Sequence, residues 1–407
     1  MKISKCRSCY SDKLINCLNL GKQVLTGVFP SNTKQKISAG NLGLVFCKNC
    51  NLLQLSESFD RNEMYGINYG YQSSLNPTMV EHLKSKAIKL QKISNLSYGD
   101  IIIDIGSNDG TFLSFFNKKL ILIGIDPTIS KFKDHYNKKI IKIANFFSEN
   151  LLRKYLSIRK AKLITSIAMF YDLEDPLSFA KEIYNCLDND GLWHFEQSYM
   201  PSMIKNTSYD TICHEHLEYY SLKSVKYILD RADFKIIDIQ LNKVNGGSFS
   251  ITVAKKNSKK FDKSNLIDWL LKKEDLYKFN NIETIRLFAS NVFKHKKLFK
   301  DLILNLNDMG KKVFGYGAST KGNVILQFCD INNKLIPYIV DVNPYKRNKY
   351  TPGTNIKIIN DLDLKKKKFD YLVVLPWHFR DFIIQKEKKY IKKGCKIIFP
   401  LPDIEII

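Results

Sequence analysis

Ile101-Ile-Ile-Asp104-Ile-Gly106-Ser-Asn108-Asp-Gly110-Thr-Phe-Leu113 is the stretch that decides the fold. Its isoleucines make the continuous apolar run of a short buried strand, and the glycines that follow are turn punctuation. The pattern predicts that the loop opens a helix. Twenty residues beyond Gly106, Leu-Ile-Leu-Ile-Gly-Ile-Asp126-Pro ends a second strand in an acid. A carboxylate at that point is placed to accept the two ribose hydroxyls of a nucleoside cofactor. The glycine spacing is GxxxG and not the GxGxxG of dinucleotide folds, and glycines let a backbone approach a ligand closely. A plain strand–turn–helix would need neither the spacing nor the acid.

Outward from this stretch the chain alternates. KIIKIANF, AKLITSIAMF and GLWHFEQS read as further buried strands with helical segments between most of them, the pattern of a parallel α/β sheet. FKIIDIQLNKVNGGSFSITVAK reads as an antiparallel hairpin closing that sheet through its Gly-Gly turn. Upstream, PTMVEHLKSKAIKLQKI has helical spacing after a proline at the first turn. The expected organisation is a small β module over 1–75, with strands in VLTGVF and LGLVF, and a central α/β domain over 76–257. A helical connector over 258–308 and a second α/β domain over 309–407 follow.

The 407 residues, with 44% hydrophobic and 26% charged, describe a folded globular chain with room for several domains. No apolar run approaches the roughly 18 residues of a membrane helix, and MKISKCRSCYSDK lacks the apolar segment of a secretory signal. A cytoplasmic location without a membrane partner is expected. Lys+Arg of 64 against Asp+Glu of 40 gives +24, which would suit nucleic acid, an acidic surface or a phosphorylated substrate. The lysines are scattered in short runs without interleaved aromatics, so a solvated surface and no nucleic-acid partner are expected. The oligomeric state is not legible.

Cys6-x-x-Cys9 and Cys47-x-x-Cys50 supply four thiolates in two knuckles, the donor set of a closed tetrahedral Zn²⁺ shell. With no position left for water, such a zinc is structural. Redox chemistry or paired disulfides are the competing readings of the same cysteines.

The glycine loop and its acid resemble motif I and the acidic residue after it in class I S-adenosylmethionine methyltransferases. That resemblance implies a Rossmann-like, mostly parallel seven-stranded sheet with an antiparallel hairpin. It implies cofactor contacts at Asp104, Gly106, Asn108, Gly110 and Asp126, adenine contacts at Asn145 and Phe146, and a contact near the methionine end at Ser166. Downstream, DTICHEHLEYYS gathers Cys213, His214, Glu215, His216, Glu218, Tyr219 and Tyr220. It is not the zincin HExxH, because the fourth residue after His214 is Glu218. Acid–base chemistry is the expectation, since imidazole near neutral pH suits it.

Taken together, the CxxC knuckles, DIGSNDG, FEQSYM, HEHLEYYS, NGGSF and YGASTKGN, in that order, resemble the nucleotide-sugar C-methyltransferases. The resemblance covers nearly the whole chain. It implies a zinc-binding N-terminal domain, a central methyltransferase domain and a C-terminal Rossmann-like α/β domain. The implied activity is methyl transfer from S-adenosylmethionine to a sugar carbon of a nucleoside-diphosphate-linked keto-deoxy sugar. A sugar C–H becomes nucleophilic only when a neighbouring ketone lets an enolate form, so a base and an oxyanion stabiliser are required. By the family's pattern His216 is the base, Glu215 orients it, His214 belongs to the same catalytic cluster, and Tyr71 sits near the sugar with Glu196 and Tyr219. Two positions depart from the pattern: Cys213 stands where Tyr is common, and Tyr171 or Asp172 where a His is expected.

Gly315 to Asn323, GYGASTKGN, is not a Walker A loop, which would need Gly at 320. A glycine-rich turn into a helix can still cradle phosphate, and Gly317, Ser319 and Lys321 are expected to bind the diphosphate. The alternatives are methylation of another small acceptor on oxygen or nitrogen, or of RNA. Against RNA or DNA, no NPPY-type amine loop and no paired catalytic cysteines are present.

Overall fold

The computed structural model describes every residue except 66–68 and 70. Near the N-terminus β1 (Leu14–Val24), β2 (Ala39–Cys47) and β3 (Leu53–Leu55) form an antiparallel sheet. VLTGVF is not the first strand: β1 is LINCLNLGKQV and stops at Val24, where the chain turns.

The central part carries β4 (Ile101–Ile105), β5 (Ile121–Ile125), β6 (Ile141–Ile143), β7 (Ala161–Ile167) and β8 (Leu187–Ser198). A two-residue strand β9 (Glu218–Tyr219) and the antiparallel pair β10 (Phe234–Asn242) and β11 (Ser248–Lys255) follow. Seven of these make one sheet in the order β10-β11-β8-β7-β4-β5-β6. Strand β4 has its sequence neighbour β5 on one side and β7 on the other. The chain therefore reverses its winding at β4, and ligands of open α/β sheets bind at such a switch point, beyond the carboxyl ends of the strands. The glycine loop Gly106–Gly110 leaves β4 there. The helix expected after it is a single 3₁₀ turn, Leu113–Phe115, because only residues 116–120 separate that turn from β5.

One face of the sheet is covered by the helix Pro77–Ser94, whose N-cap Asn76 accepts from the amides of Thr78 and Met79. Met79, Leu83, Ala87 and Leu90 pack on Ile102, Leu122, Leu163 and Leu192, and burial of each of the larger side chains contributes roughly 1.5–3 kcal/mol. Helices Pro176–Cys186 and Leu222–Arg231 cover the other face. Strand β9 joins neither central layer. It pairs with β3, Leu53 opposite Tyr219 and Gln54 opposite Glu218, and so adds a fourth strand to the N-terminal sheet.

Helices Leu266–Leu276 and Ile282–Asp308 lead into the last region. There β12 (Val313–Tyr316), β13 (Tyr338–Val340), β14 (Lys357–Ile359), β15 (Tyr371–Val374), β16 (Lys396–Phe399) and β17 (Glu405–Ile406) form a sheet ordered β14-β13-β12-β15-β16-β17. Strand β12 lies between β13 and β15, a second switch point, and the loop Gly317–Ser319 leaves from it. Among the described residues no helix is long and apolar enough to cross a membrane.

Candidate active site

The Sγ atoms of Cys6, Cys9, Cys47 and Cys50 all lie within 4.8 Å of one another. The pairs Cys6–Cys50 and Cys9–Cys47 are 3.5 Å apart, close to the roughly 3.8 Å edge of a tetrahedron with Zn–S bonds of about 2.3 Å. The Gln54 amide donates to Cys6 Sγ at 3.2 Å, and the Arg7 N–H holds Gln54 Oε1 at 3.0 Å. Such outer hydrogen bonds orient ligand sulfurs. The four residues fit a structural zinc, and Gln54 on β3 ties it to β9.

A cavity of about 340 Å³ lies among the three regions of the chain. The β4 loop forms one end. Gly106 has φ of +76°, and a Cβ there would come within 3.1 Å of Met169. Asp126, after β5, is buried; its Oδ2 accepts the Asn108 amide at 2.9 Å and its Oδ1 the Thr128 amide at 2.7 Å. Lone pairs on Oδ2 remain for a ligand. Burial raises the Asp104 carboxyl to about 7, although Thr165 donates to it at 2.6 Å. Asn145 and Phe146 line the cavity, and the Arg61 guanidinium stacks 4.7 Å over the Phe146 ring. Asn108 works as a bracket: its Oδ1 accepts the Ser73 amide and its Nδ2 donates to the Tyr71 carbonyl. Tyr71 thus lines the cavity and stays 44% exposed. This cradle fits S-adenosylmethionine.

The HEH segment forms the opposite wall, and its three members face different ways. His216 lines the cavity; its Nδ1 is 2.9 Å from the Thr211 carbonyl and its ring lies 4.2 Å from that of Tyr171. Burial and then the charge of Lys321 pull this imidazole down to about 3. Glu215 also lines the cavity, with one oxygen buried and without a partner, and burial raises its carboxyl. The expected orientation of His216 by Glu215 is corrected: the Thr211 carbonyl does it. Glu215 instead meets Gly27 of the N-terminal region, where a Cβ would fall 2.2 Å from Oε1 and 3.5 Å from Thr320 Oγ1.

His214 is off the cavity. It is fully buried, with Nε2 3.2 Å from the Gln23 carbonyl and Nδ1 3.5 Å from Thr26 Oγ1. Residues 214–215 form a turn, with the His216 amide donating to the Cys213 carbonyl at 3.2 Å, so the two rings do not share a face and His214 ties the segment to β1. Tyr219 is likewise displaced from the expected sugar contact: its ring is in the core and its hydroxyl donates to the His216 carbonyl at 3.0 Å. Ser166 is buried behind the wall, accepting from Trp193 Nε1, while Ile167 and Ala168 reach the surface. Gly110 packs on the Tyr136 ring, and Gly317, at φ of +81°, packs on Pro376; neither lines the cavity.

Glu196 lines the cavity with its carboxylate already engaged, by His82 at 2.6 Å, Lys86 at 2.9 Å and Asn242 at 2.7 Å. Burial alone would raise it; the His82 and Lys86 contacts outweigh that and hold it at about 2. Ser319 caps the helix Thr320–Phe328 by accepting the Gly322 amide, and Ser319, Thr320 and Lys321 border the cavity. Sequence reasoning did not single out Lys346, Asp172 as Tyr65's hydrogen-bond acceptor, or His378. The last was findable, because it follows β15, where α/β sheets place ligand contacts.

Three domain families match in chain order: a zinc binding domain over 6–65, a methyltransferase domain over 79–239, and the C-methyltransferase C-terminal domain over 243–402. The chain is 25% identical over 412 aligned positions to C-methyltransferase NovU of Streptomyces niveus, covering 100% of this chain and 97% of that one. Solved structures with similarity include an S-adenosylmethionine-dependent methyltransferase from Clostridium acetobutylicum, at 13% identity and TM-score 0.35, covering 43% of this chain and 92% of the other. Another is the plantazolicin methyltransferase BpumL in complex with SAH, at 14% identity and TM-score 0.34, covering 42% and 82%. With a zinc-binding domain, a methyltransferase domain and a C-methyltransferase C-terminal domain in one chain, the protein belongs to the S-adenosylmethionine-dependent C-methyltransferases.

Proposed function

We propose that the protein methylates a carbon next to the ketone of a nucleoside-diphosphate-linked keto-deoxy sugar, through an enolate formed by His216. The observation that carries this reading is the His216 ring. A carbonyl only accepts, so the Nδ1 facing Thr211 carries the hydrogen and Nε2 keeps its lone pair. That lone pair belongs to a side chain lining the same cavity as the β4 loop. Burial and Lys321 keep the imidazole neutral, so this lone pair is free at neutral pH, and a positioned base contributes about 10²–10⁴-fold.

S-adenosylmethionine, when bound, supplies an electrophilic methyl group on a sulfonium. This chain's residues do the rest. Asp126, Asn145 and Phe146 hold the nucleoside end, and Asp104 offers a carboxylate to a cationic ligand. Ser319, Thr320 and Lys346 border the cavity where a helix N-terminus favours phosphate, which suits the diphosphate arm. Tyr65, Tyr69, Tyr71 and Tyr171 line the cavity, Tyr171 with its ring 4.2 Å from that of His216, and these rings limit water around the carbanion. Holding donor and acceptor in one cavity removes much of the entropic barrier.

The test is turnover with S-adenosylmethionine and a panel of nucleoside-diphosphate 4-keto-6-deoxy sugars, read by mass and carbon NMR. A product heavier by one methylene with a new C–CH₃ resonance is expected. Methylation on oxygen or nitrogen, or only of non-ketone acceptors, would overturn the reading.

A further inference from the structure

The site holds a cation whose place suggests more than a grip on phosphate. Lys321 stands in the first turn of the helix Thr320–Phe328, yet its side chain runs across to the methyltransferase domain. Its Nζ donates to the Asn245 carbonyl at 2.9 Å, on the β10–β11 connection. Asn245 is its one hydrogen-bond partner among the described residues, and an ammonium has three N–H donors. Among the described residues the Asp210 carboxylate acts on Lys321 from nearby without a direct ion pair: its Oδ2 accepts from Trp377 Nε1 at 2.9 Å and its Oδ1 is buried without a hydrogen-bond partner. Lys321 is half-buried at the edge of the cavity, and with one N–H given to Asn245 it keeps donors for an anion that appears there during the reaction.

The groups around His216 agree. Tyr171 faces it from the segment after β7, Cys213 and Glu215 flank it on its own segment, and Lys321 faces it from the C-terminal domain. Lys321 is the charge that acts on the imidazoles of both His216 and His378, and His378 Nδ1 is buried without a partner. Resting on the reading above, we infer that Lys321 is the electrophilic partner of His216, its Nζ stabilising the enolate oxygen. His216 Nε2 takes the proton from the carbon beside the ketone. The C–H pair becomes the C=C bond, and the C=O π pair moves to the oxygen, where Lys321 receives it. The carbon then takes the methyl, the C–S pair stays on sulfur, the carbonyl re-forms, and the proton leaves His216 for water.

Lys321→Met is examined beside wild type by three readouts. In the ligand-free protein, the NMR titration of His216 moves upward by about one unit once the neighbouring charge is gone. Exchange of the α-proton of the keto-sugar in D₂O with S-adenosylhomocysteine falls about 100-fold or more. The inhibition constant of the free nucleoside diphosphate stays within about threefold, a readout that a phosphate ligand would shift. Lys321→Gln, which keeps a donor for Asn245 without the charge, decides the case where the Met variant no longer binds S-adenosylmethionine. Intact exchange in a folded variant, an unmoved His216 titration, or a loss confined to nucleotide inhibition overturns the inference while leaving the parent reading in place. Wild type that exchanges no keto-sugar overturns both.

Discussion

His216 Nδ1 lies 2.9 Å from the carbonyl oxygen of Thr211, five residues earlier in the same segment. A backbone atom thus sets the tautomer, and Nε2 is left with the lone pair. His216→Asn is expected to bind S-adenosylmethionine as wild type does and to lose methyl transfer by about 10²–10⁴-fold. Isothermal titration with turnover on the same preparation checks this.

His214 is the control for that experiment. Its contacts are Gln23 and Thr26, away from the cavity. His214→Gln should lower Tm, at a cost of about 1–3 kcal/mol for the buried polar groups left unpaired, while kcat of the folded protein changes by less than about threefold. Thermal unfolding and active-site-normalised kinetics measure the two effects.

Asp104 gives the cofactor site a pH dependence. Burial, then the charge of Asp126, raises its carboxyl to about 7, with Thr165 pulling the other way. A cationic ligand prefers the ionised form, so affinity for S-adenosylmethionine rises with pH. Between pH 6 and pH 8 the ionised fraction grows about tenfold for a group with that midpoint. Dissociation constants across this range should tighten by up to that factor in wild type and follow a flatter course in Asp104→Asn.

The cysteine cluster is linked to the HEH segment through β3. Gln54 donates to Cys6 Sγ and pairs with Glu218, two residues from His216. Cys47→Ser, or chelation, should remove one zinc per chain and lower both Tm and kcat, with KM for S-adenosylmethionine less affected. Atomic emission and kinetics on the metal-depleted protein report this. A redox role for the cysteines would instead give activity that follows thiol oxidation.

Gly27 marks where the N-terminal region touches the site. A Cβ at 27 would press on Glu215 Oε1 at 2.2 Å. Gly27→Ala should displace Glu215, cost about 1–3 kcal/mol of stability as overpacking does, and reduce kcat. Unfolding curves and turnover of the one variant test both.

The parts written in local pattern were legible in the sequence. IIIDIG and LILIGID announced adjacent strands through their apolar runs, and the cysteine spacing announced the cluster. The parts decided by tertiary packing were not. Nothing local says that Glu218 and Tyr219 will leave the central domain to pair with β3, or that His214 and His216 will face opposite ways. The helix expected after Gly110 failed on length, since the next strand begins at Ile121. Ser166 was misplaced by one residue of side-chain alternation, Ile167 lining the cavity in its stead, and Tyr219 by the pairing of β9 with β3. GYGASTKGN singles out Lys321, but its reach across to the Asn245 carbonyl depends on domain docking, which no local motif encodes.

The central claim is that His216 makes an enolate, and proton exchange isolates that step from methyl transfer. The protein is incubated in D₂O with S-adenosylhomocysteine and each nucleoside-diphosphate 4-keto-6-deoxy sugar in turn, and the protons beside the ketone are followed by NMR. Enzyme-dependent loss of one signal, abolished in His216→Asn, is the predicted result. Methylation of the sugar by wild type without any such exchange, or exchange at an unchanged rate in His216→Asn, would contradict it.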